Sequence, residues 1–537
     1  MKYKYIVALS FLTFMSLGSC GEDFLYKAPQ GSIDENALTN ANGVDLLVTN
    51  AYANLTENDW GASVFNWTFG GMYGGDANKG SDANDQSVLN TMELYTTLAS
   101  NGYIDQKWRW VYKGVKRVNK ATQVMANVTD MPEAIRKSRT GELKFLRALF
   151  YFEGIKVFGP FIPWVDEAIT ENNPLIHNDK DIYSNVLADL DDAITNLPNT
   201  QDTPGRVNVW AAKALKAKVL MQKGDMAAAK PILKDVIENG KTSNGLAYGL
   251  EDDLDANFSS YTENGKESIF AVQFSVDTNN NGNVGMSLCY PHGGSGNPGG
   301  CCGFYQPSNE LANSFKVDAN GLPLLDNSYR NGDPVSYRNP STEASAPLAL
   351  NNNQIPVDPR LDFAIGRFGI PYKDWGTPKN GWVRDAANGG IYLPKKHVYS
   401  KAEEEAGLAS GGFSDGWAPG SAMNLQYLSL RDCILLYAEC LANDGELSQA
   451  MNQVNKIRTR AGLEPNIIKI NGVPAANYKI ATYPTTHAAF TDKATCIKAV
   501  RMERKLELAM EGQRWFDLSR WGGEYMAGAI KDYVDFE

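Results

Sequence analysis

The most informative absence in this chain is that of the short motifs by which many enzymes are recognised. The sequence has no nucleophile elbow G-x-S-x-G, no P-loop, no zinc-binding H-E-x-x-H and no dinucleotide-binding fingerprint after a strand. Its few histidines are dispersed: His177, His292, His397 and His487. A glycosidase needs only two carboxylates at a suitable separation, so that alternative stays open at this point. We predict a non-enzymatic protein with no cofactor and no metal.

Positive charge is also scarce. The 537 residues include 51 Lys and Arg against 62 Asp and Glu, for a net charge of −11. Because proteins that bind nucleic acid present a basic face to it, we predict no nucleic-acid partner. Aromatic side chains, at 11%, are plentiful by contrast. They suit a protein that binds flat, weakly polar ligands, although large cores use them as well.

Long apolar runs are missing except at the N-terminus. There, Lys2 and Lys4 precede an apolar run over residues 5–17, which ends in Gly18-Ser19-Cys20. This pattern predicts a signal peptide over residues 1–19, too short to anchor the protein across a bilayer. The Leu-Gly-Ser-Cys ending resembles a bacterial lipobox, so we predict a lipid on Cys20 and an extended tether over residues 20–36. The alternative is a plain signal peptide followed by an incidental cysteine.

Cysteine is too sparse for a disulfide framework in so long an exported chain. Cys433 and Cys440 fall on a predicted helix and are interpreted as small core residues. For Cys289, Cys301 and Cys302, we predict a disulfide bridge from Cys289 to one of the later pair. A zinc site with His292 is the weaker alternative, because adjacent cysteines chelate one ion awkwardly.

Helical periodicity dominates both ends of the chain. Residues 207–239 and 430–461 each read as two helices broken at a glycine, Gly224 in the first segment and Gly445 in the second. Small residues around a shared glycine turn are typical of tetratricopeptide-like hairpins. Residues 241–424 are instead rich in Gly, Asn, Pro and Ser, with one strand-like run over 268–275. We therefore predict a mainly α fold: a tetratricopeptide-like helical hairpin scaffold with a large loop-rich region carrying a few short β-strands.

The segment RMERKLELAMEGQRWFDLSRW, residues 501–521, combines charge with aromatic bulk. Glu503, Glu507 and Glu511 recur every four residues, which places them on one helical face. Such a row could be catalytic, but it is more often an ion-pair lattice that fixes one helix against others. We interpret the segment as a structural lattice, whose members are Glu503, Arg504, Glu507, Glu511, Arg514, Trp515 and Asp517.

Four motifs in this chain resemble those of the SusD-like (RagB/SusD) family. They are the segment 501–521, the run E-x-x-FLRA-x-x-YF over residues 142–152 with the FG-x-x-x-P that follows it, PS-x-EL at 307–311, and DPRL at 358–361. The resemblance implies an N-terminal helical region over 37–240, a loop-rich ligand-binding region over 241–424 and a C-terminal helical region over 425–537, in one compact body. Family members commonly continue to a Pro-rich end, so we expect a reduced tail after Trp521.

The resemblance also implies a function. Members are lipoproteins of the outer membrane, exposed at the cell surface, that capture oligosaccharides and pass them to a SusC-like TonB-dependent transporter. The acidic pair Glu22–Asp23 resembles the signal that sends such lipoproteins to the surface. A second hypothesis replaces the glycan by a peptide, as in some RagB-like members. A third is a helical-repeat scaffold of the envelope that binds no small ligand.

Residues 59–85 carry the side chains that a sugar site needs. Aromatic rings stack on the apolar face of a pyranose, and amides and carboxylates bind its hydroxyls. The resemblance places the glycan site in this loop and in loops of the middle region. We predict Trp67, Trp375 and Tyr290 first, followed by Trp60, Tyr73, Asp76, Asn66, Trp382 and Arg384, with Tyr305 and Trp417 as further candidates. Calcium is the weak alternative for the Asp and Asn residues of the loop.

Overall fold

Helices at the two ends of the chain form the frame of the molecule. The computed structural model describes residues 35–537, apart from 58–59, 62, 170–174, 277–281, 295, 337–354 and 415. The signal peptide, Cys20 and almost all of the tether lie outside the described residues. The helices are α1 Glu35–Leu38, α2 Ala41–Ala53, α3 Val88–Glu93, α4 Gly102–Ala126, α5 Glu133–Phe158, α6 Tyr183–Asn196, α7 Val209–Lys223, α8 Met226–Asn239, α9 Asn309–Ser314, α10 Leu361–Ala364, α11 Ala386–Gly389, α12 Lys401–Glu405, α13 Leu430–Asn443, α14 Leu447–Ala461, α15 Lys493–Glu507, α16 Arg514–Arg520 and α17 Gly523–Phe536.

The strands are short and pair two by two. They are β1 Ala77–Gly80, β2 Ser268–Val272, β3 Phe304–Pro307, β4 Ile365–Gly366, β5 Leu393–Pro394, β6 Ala409–Ser414, β7 Ala418–Ser421, β8 Leu425–Ser429, β9 Lys469–Ile470 and β10 Val473–Pro474. The antiparallel pairs are β1–β3, β2–β8, β4–β5, β6–β7 and β9–β10. With about 49% helix, the chain has the mainly α fold that the sequence predicts.

The first predicted hairpin forms helices α7 and α8. The side chain of Asn208 accepts a hydrogen bond from the backbone N–H of Ala211, which caps the start of α7. Gly224 ends α7 at φ +89°, a left-handed conformation that suits glycine. The side chain of Asp225 then caps α8 by accepting from Ala228. Local chemistry thus reverses the chain within two residues.

The second hairpin repeats this arrangement with helices α13 and α14, and Gly445 in the turn has φ +81°. Helix α8 packs against α13, so the two hairpins are neighbours although about 200 residues separate them in sequence.

Among the described residues, no helix combines the length and the hydrophobicity that a membrane-spanning segment needs.

Residues 241–424 are joined to the helical frame by β-strand pairing. Strand β2 pairs with β8, which leads directly into α13. Strand β1, in the N-terminal loop over residues 59–85, pairs with β3. Buried side chains from all three predicted regions share one hydrophobic core. The boundaries at 240 and 424 remain a prediction from sequence, since the core is continuous across them.

The carboxylates of the C-terminal segment lie in a buried ion-pair network. Glu503 contacts Arg360 at 2.7 Å and Arg458 at 3.0 Å, and Glu507 contacts Arg360 at 3.0 Å as well as Arg460. The neighbouring guanidinium groups outweigh the effect of burial and lower the pKa of Glu507 to about 2.

The remaining residues of the segment extend this network. Helix α15 ends at Glu507, so Glu511 lies in the following turn, where it contacts Lys396 at 2.8 Å and Arg431 at 2.9 Å. Arg504 joins Asp432 and Asp517, each at 2.9 Å. These contacts form a buried ion-pair network, and a structural rather than catalytic role for the row stays a prediction.

The aromatic and cationic members of the segment are also part of the frame. The Trp515 ring lies 5.2 Å from the Tyr73 ring, and the Arg514 guanidinium lies 5.6 Å from the Trp521 ring. Gly512 has φ +66°, and a side chain there would overlap the backbone of Phe65. The segment is thus closely packed against the N-terminal loop.

The predicted bridge from Cys289 is wrong. Cys301 and Cys302 are bonded to each other, and Cys289 is a free, buried thiol. The chain brings Cys289 close to the pair, because Cys302 donates its backbone N–H to Leu288. Cys433 and Cys440 are buried in α13, in agreement with the predicted core role. Within the described residues, no group of three or more His, Cys, Asp or Glu side chains is placed to hold a metal ion.

Candidate functional site

Two tryptophans from distant parts of the chain meet at the surface. Trp60 belongs to the loop after α2, and Trp417 lies at the tip of the β6–β7 hairpin. Their ring centroids are 5.3 Å apart with an interplanar angle of 20°, a stacked arrangement. Trp417 is 44% exposed, while Trp60 is half-buried beneath it. The inner ring therefore supports an outer ring that faces solvent.

A charged cluster lies in an adjoining group of loops. The Arg384 guanidinium contacts Asp82 at 2.6 Å, together with Asp85, and donates to the hydroxyl of Ser81 at 2.9 Å. Each of the three charged side chains is about one third exposed. The backbone N–H groups that follow Asp82 lower the pKa of its carboxyl, so it remains a charged hydrogen-bond acceptor at neutral pH.

Packing links the tryptophan pair to this cluster. Gly61, next to Trp60, lies so close to Tyr103 that a Cβ would come within 2.8 Å of the tyrosine ring. The Tyr103 hydroxyl in turn donates to the Gln86 side chain at 3.1 Å, immediately after Asp85. The stacked pair and the charged cluster, each of which joins the loop at 59–85 to a loop of the middle region, are thus linked by packed side chains.

Three predicted platforms are core residues, so their prediction as sugar-stacking surfaces is wrong in this structure. Trp67 is 0% exposed, and its Nε1 donates to the carbonyl of Trp60 at 2.9 Å. Tyr290 is 1% exposed and lies 5.2 Å from the Tyr399 ring. Trp382 is 0% exposed and meets Tyr372 edge to face. A pyranose cannot reach any of these three rings.

Three further candidates are also placed away from the surface. Asn66 is buried between Lys107 and Glu153, with its Oδ1 2.9 Å from the lysine Nζ and its Nδ2 2.8 Å from the carboxylate. Asp76 is buried as well, and burial raises its pKa to about 6 against the opposing charges of nearby cations. Tyr305 is buried and contacts Trp67. All three are supporting residues beneath the loops.

Two further predicted rings, Tyr73 and Trp375, are half-buried. Tyr73 is half-buried against Tyr95 and Trp515, so it belongs to the frame of the C-terminal segment. Trp375 is half-buried beside Tyr399, and its Nε1 donates to the Tyr399 carbonyl at 3.0 Å. It stays a prediction as a ligand contact. Trp60, Trp417 and Arg384 are therefore the predicted residues that the structure brings into one surface region.

An exposed indole beside ionic and amide groups can do two things chemically. Its flat face excludes water from an apolar ligand face, and the nearby carboxylates and guanidinium exchange hydrogen bonds with ligand hydroxyls. The sequence signal for Trp417 is its position in a glycine-rich segment, GGFSDGWAPG, which predicts a hairpin with an exposed tip. Nothing in the sequence indicates that its partner is Trp60.

The fold first defines the class of protein, a helical scaffold of tetratricopeptide-like hairpins whose loops carry the surface aromatic pair. Comparison with known proteins then gives the family. The family model described as "SusD family" matches residues 266–534, and one described as "Starch-binding associating with outer membrane" matches residues 23–221. The chain belongs to the SusD family.

Individual relatives are distant but similar over nearly their whole length. A "SusD-like protein" of Bacteroides ovatus is 22% identical, with 97% of this chain and 83% of the relative aligned. A SusD superfamily protein of Bacteroides vulgatus has a TM-score of 0.65 at 19% identity, over 92% of this chain and 90% of that one. The surface glycan-binding protein A of Bacteroides thetaiotaomicron, solved with laminarihexaose, has a TM-score of 0.59 at 18% identity, over 90% of each chain.

Proposed function

We propose that this protein is a non-catalytic, glycan-binding lipoprotein of the cell surface, which captures an oligosaccharide and delivers it to a SusC-like TonB-dependent transporter in the outer membrane. Trp417 stacked on Trp60 is the observation that carries the glycan assignment. A solvent-exposed indole is costly to leave in water, and stacking on a second indole holds it in one orientation for a ligand.

The polar surroundings suit a neutral, hydroxylated ligand. Arg384 offsets one of the two negative charges of Asp82 and Asp85, so the cluster keeps one negative charge and offers both hydrogen-bond donors and acceptors to ligand hydroxyls. Family membership supports the same ligand class, because relatives of this fold are described as surface glycan-binding and laminarin-binding proteins. Lipidation at Cys20 and contact with a transporter are supported by the sequence resemblance.

The glycan site is tested by removing the outer ring. Replacing Trp417 with Ala deletes the stacking surface, which we expect to cost about 1–2 kcal/mol, a fall in affinity of about 5- to 30-fold. Trp60→Ala should also lower the affinity for the glycan, because the outer ring loses its support. Affinities are measured by calorimetric titration with the best ligand found on a glycan array.

The matched control is Trp108→Ala. Trp108 is 36% exposed on α4, where it packs against Tyr112 and Phe158 rather than Trp417. This variant should bind like the wild type. Equal affinity of wild type and Trp417→Ala would refute the site, and binding to a peptide panel with no response on the glycan array would favour the peptide hypothesis.

The cellular part of the proposal has its own test. Cys20→Ser removes the predicted lipid acceptor, so the protein should move from the membrane fraction to the soluble fraction. Affinity purification of the lipidated protein should recover a TonB-dependent transporter. A Cys20→Ser protein that stays in the membrane fraction would contradict the predicted anchor.

A further inference from the structure

A cavity of about 330 Å³ opens between helix α2, the loop at residues 203–206 and strand β2. This volume is within the range of about 300–1,000 Å³ that small-molecule sites occupy in proteins. Helix α2 contributes Tyr52 and Ala53 to its wall, and β2 contributes Phe270 and Val272. None of these residues belongs to the tryptophan pair or to the charged cluster beside it.

The charges near the cavity are balanced. The guanidinium of Arg206, which lines the cavity, contacts Glu142 at 2.9 Å and Asp45 at 2.9 Å. Arg139 pairs with the same two carboxylates, at 2.6 Å and 2.8 Å. Two cations thus face two anions. Because they neutralise one another, the cavity has no net attraction for an anionic or a cationic ligand, which favours a neutral occupant.

The lining is amphiphilic. Leu55, Phe270 and Val272 supply apolar surface. The hydroxyls of Thr49 and Thr56 each donate to a backbone carbonyl, so their oxygens remain hydrogen-bond acceptors. Acceptors at the wall require a ligand that carries donors, and apolar walls require a ligand with a CH-rich face. A sugar ring meets both requirements.

The cavity is also close to the tryptophan pair. Thr56 lines it, and the chain runs from there to Trp60 in four residues. Because four residues span at most about 14 Å, the Cα atoms of Thr56 and Trp60 are no more than about 14 Å apart. An oligosaccharide of a few units is long enough to cover such a distance.

We propose that this cavity is a second saccharide subsite, which holds one or two sugar rings at the end or branch of a glycan. The inference rests on the proposed function for its ligand class, while its location rests on the cavity alone. It predicts that the protein binds a disaccharide at a place that does not require the tryptophan pair.

The test uses saturation-transfer NMR on the full chain with two probes, maltose and laminaribiose. The Trp417→Ala variant removes the outer stacking platform, and at least one disaccharide should still give a signal in it. Adding Ala53→Trp places an indole at the cavity wall and should reduce that signal at least fivefold. Ala53 is exposed at the end of α2, so this substitution should leave the fold intact.

The matched control is Ala227→Trp, an exposed alanine on α8, which should leave the signal in the Trp417→Ala background unchanged. Three results would overturn the inference: no signal from either disaccharide in the wild type, complete loss of signal in Trp417→Ala alone, or persistence of the signal after Ala53→Trp. If indole, added as a third probe, gives a signal while neither disaccharide does, the cavity is an apolar pocket and the inference is overturned.

Failure of the proposed function gives a different result. If the tryptophan pair is not a glycan site, Trp417→Ala leaves the affinity for long oligosaccharides unchanged. The effect of Ala53→Trp on the disaccharide signal is then still measured independently. The two substitutions therefore report separately on the platform and on the cavity.

Discussion

Neutralising Glu503 tests whether the carboxylate row of the C-terminal segment is structural. Its carboxylate is fully buried and contacts Arg360 at 2.7 Å and Arg458 at 3.0 Å. Glu503→Gln keeps the size of the side chain but removes the charge that these guanidinium groups face. Removing one partner of a buried ion pair generally costs about 3–5 kcal/mol, because the other charge stays buried.

The remaining contacts place this variant at the lower end of that range. Arg360 keeps Asp358 at 2.7 Å and Glu507 at 3.0 Å. Arg458 keeps hydrogen bonds to the carbonyls of Ala481 and Gly321, while its nearest other carboxylate, that of Asp358, is 3.8 Å away. Since both cations retain partners, we expect a loss of about 3 kcal/mol in the free energy of unfolding.

Urea unfolding followed by far-UV circular dichroism and by fluorescence measures this loss, as a lower midpoint at unchanged slope. The control is Lys531→Ala, which removes an exposed i,i+4 pair with Asp535 and should cost less than about 0.5 kcal/mol. Glycan affinity of the folded Glu503→Gln protein should equal that of the wild type. A loss of stability no larger than in the control, or a folded variant without glycan binding, would refute the structural interpretation.

Three further predictions concern buried groups. Burial raises the pKa of Asp76 from 3.8 to about 6, so the folded protein holds this proton more tightly and loses stability as the pH rises from about 4 to 6. Asp76→Asn has no proton to lose, so its free energy of unfolding should rise relative to that of the wild type by up to about 3 kcal/mol between pH 4 and pH 7. A difference between the two unfolding free energies that does not vary with pH would contradict this. Gly512→Ala should destabilise the protein more than Gly522→Ala, because both have positive φ but only the first places a Cβ against a backbone carbonyl; equal unfolding midpoints would refute the packing argument. Cys289→Ser should leave the disulfide between Cys301 and Cys302 intact in non-reducing peptide maps, whereas a wild-type map that links Cys289 to either would overturn the assignment.

Short sequence patterns predicted those helices and turns that depend only on neighbouring residues. The ends of the two hairpins follow from the caps and from Gly224 and Gly445, which act within one turn of helix. The ion pairing of Glu503 and Glu507 was predictable in the same way, because a four-residue spacing fixes which side of a helix carries the charge. Their partners Arg360 and Arg460 come from remote segments, so the sequence indicated a lattice without identifying its contacts.

The candidate site shows where such reasoning ends. Trp60 and Trp67 lie in the same aromatic loop and look alike in sequence, but one reaches the surface and the other lies in the core. The difference arises because a short helix over Trp67–Met72 turns Trp67 inward against Phe304. Side-chain exposure is a property of the whole packing arrangement, so composition could not separate the two.

The sequence by itself determined the family and the mainly α scaffold and predicted an ion-pair lattice in the 501–521 segment, because these depend on short-range periodicity and on long, specific motifs. The tertiary structure alone decided that Trp417 stacks on Trp60, that Cys301 bonds to Cys302, and that a cavity opens beside β2. Each of these depends on segments far apart in the chain, or on backbone geometry that folding imposes.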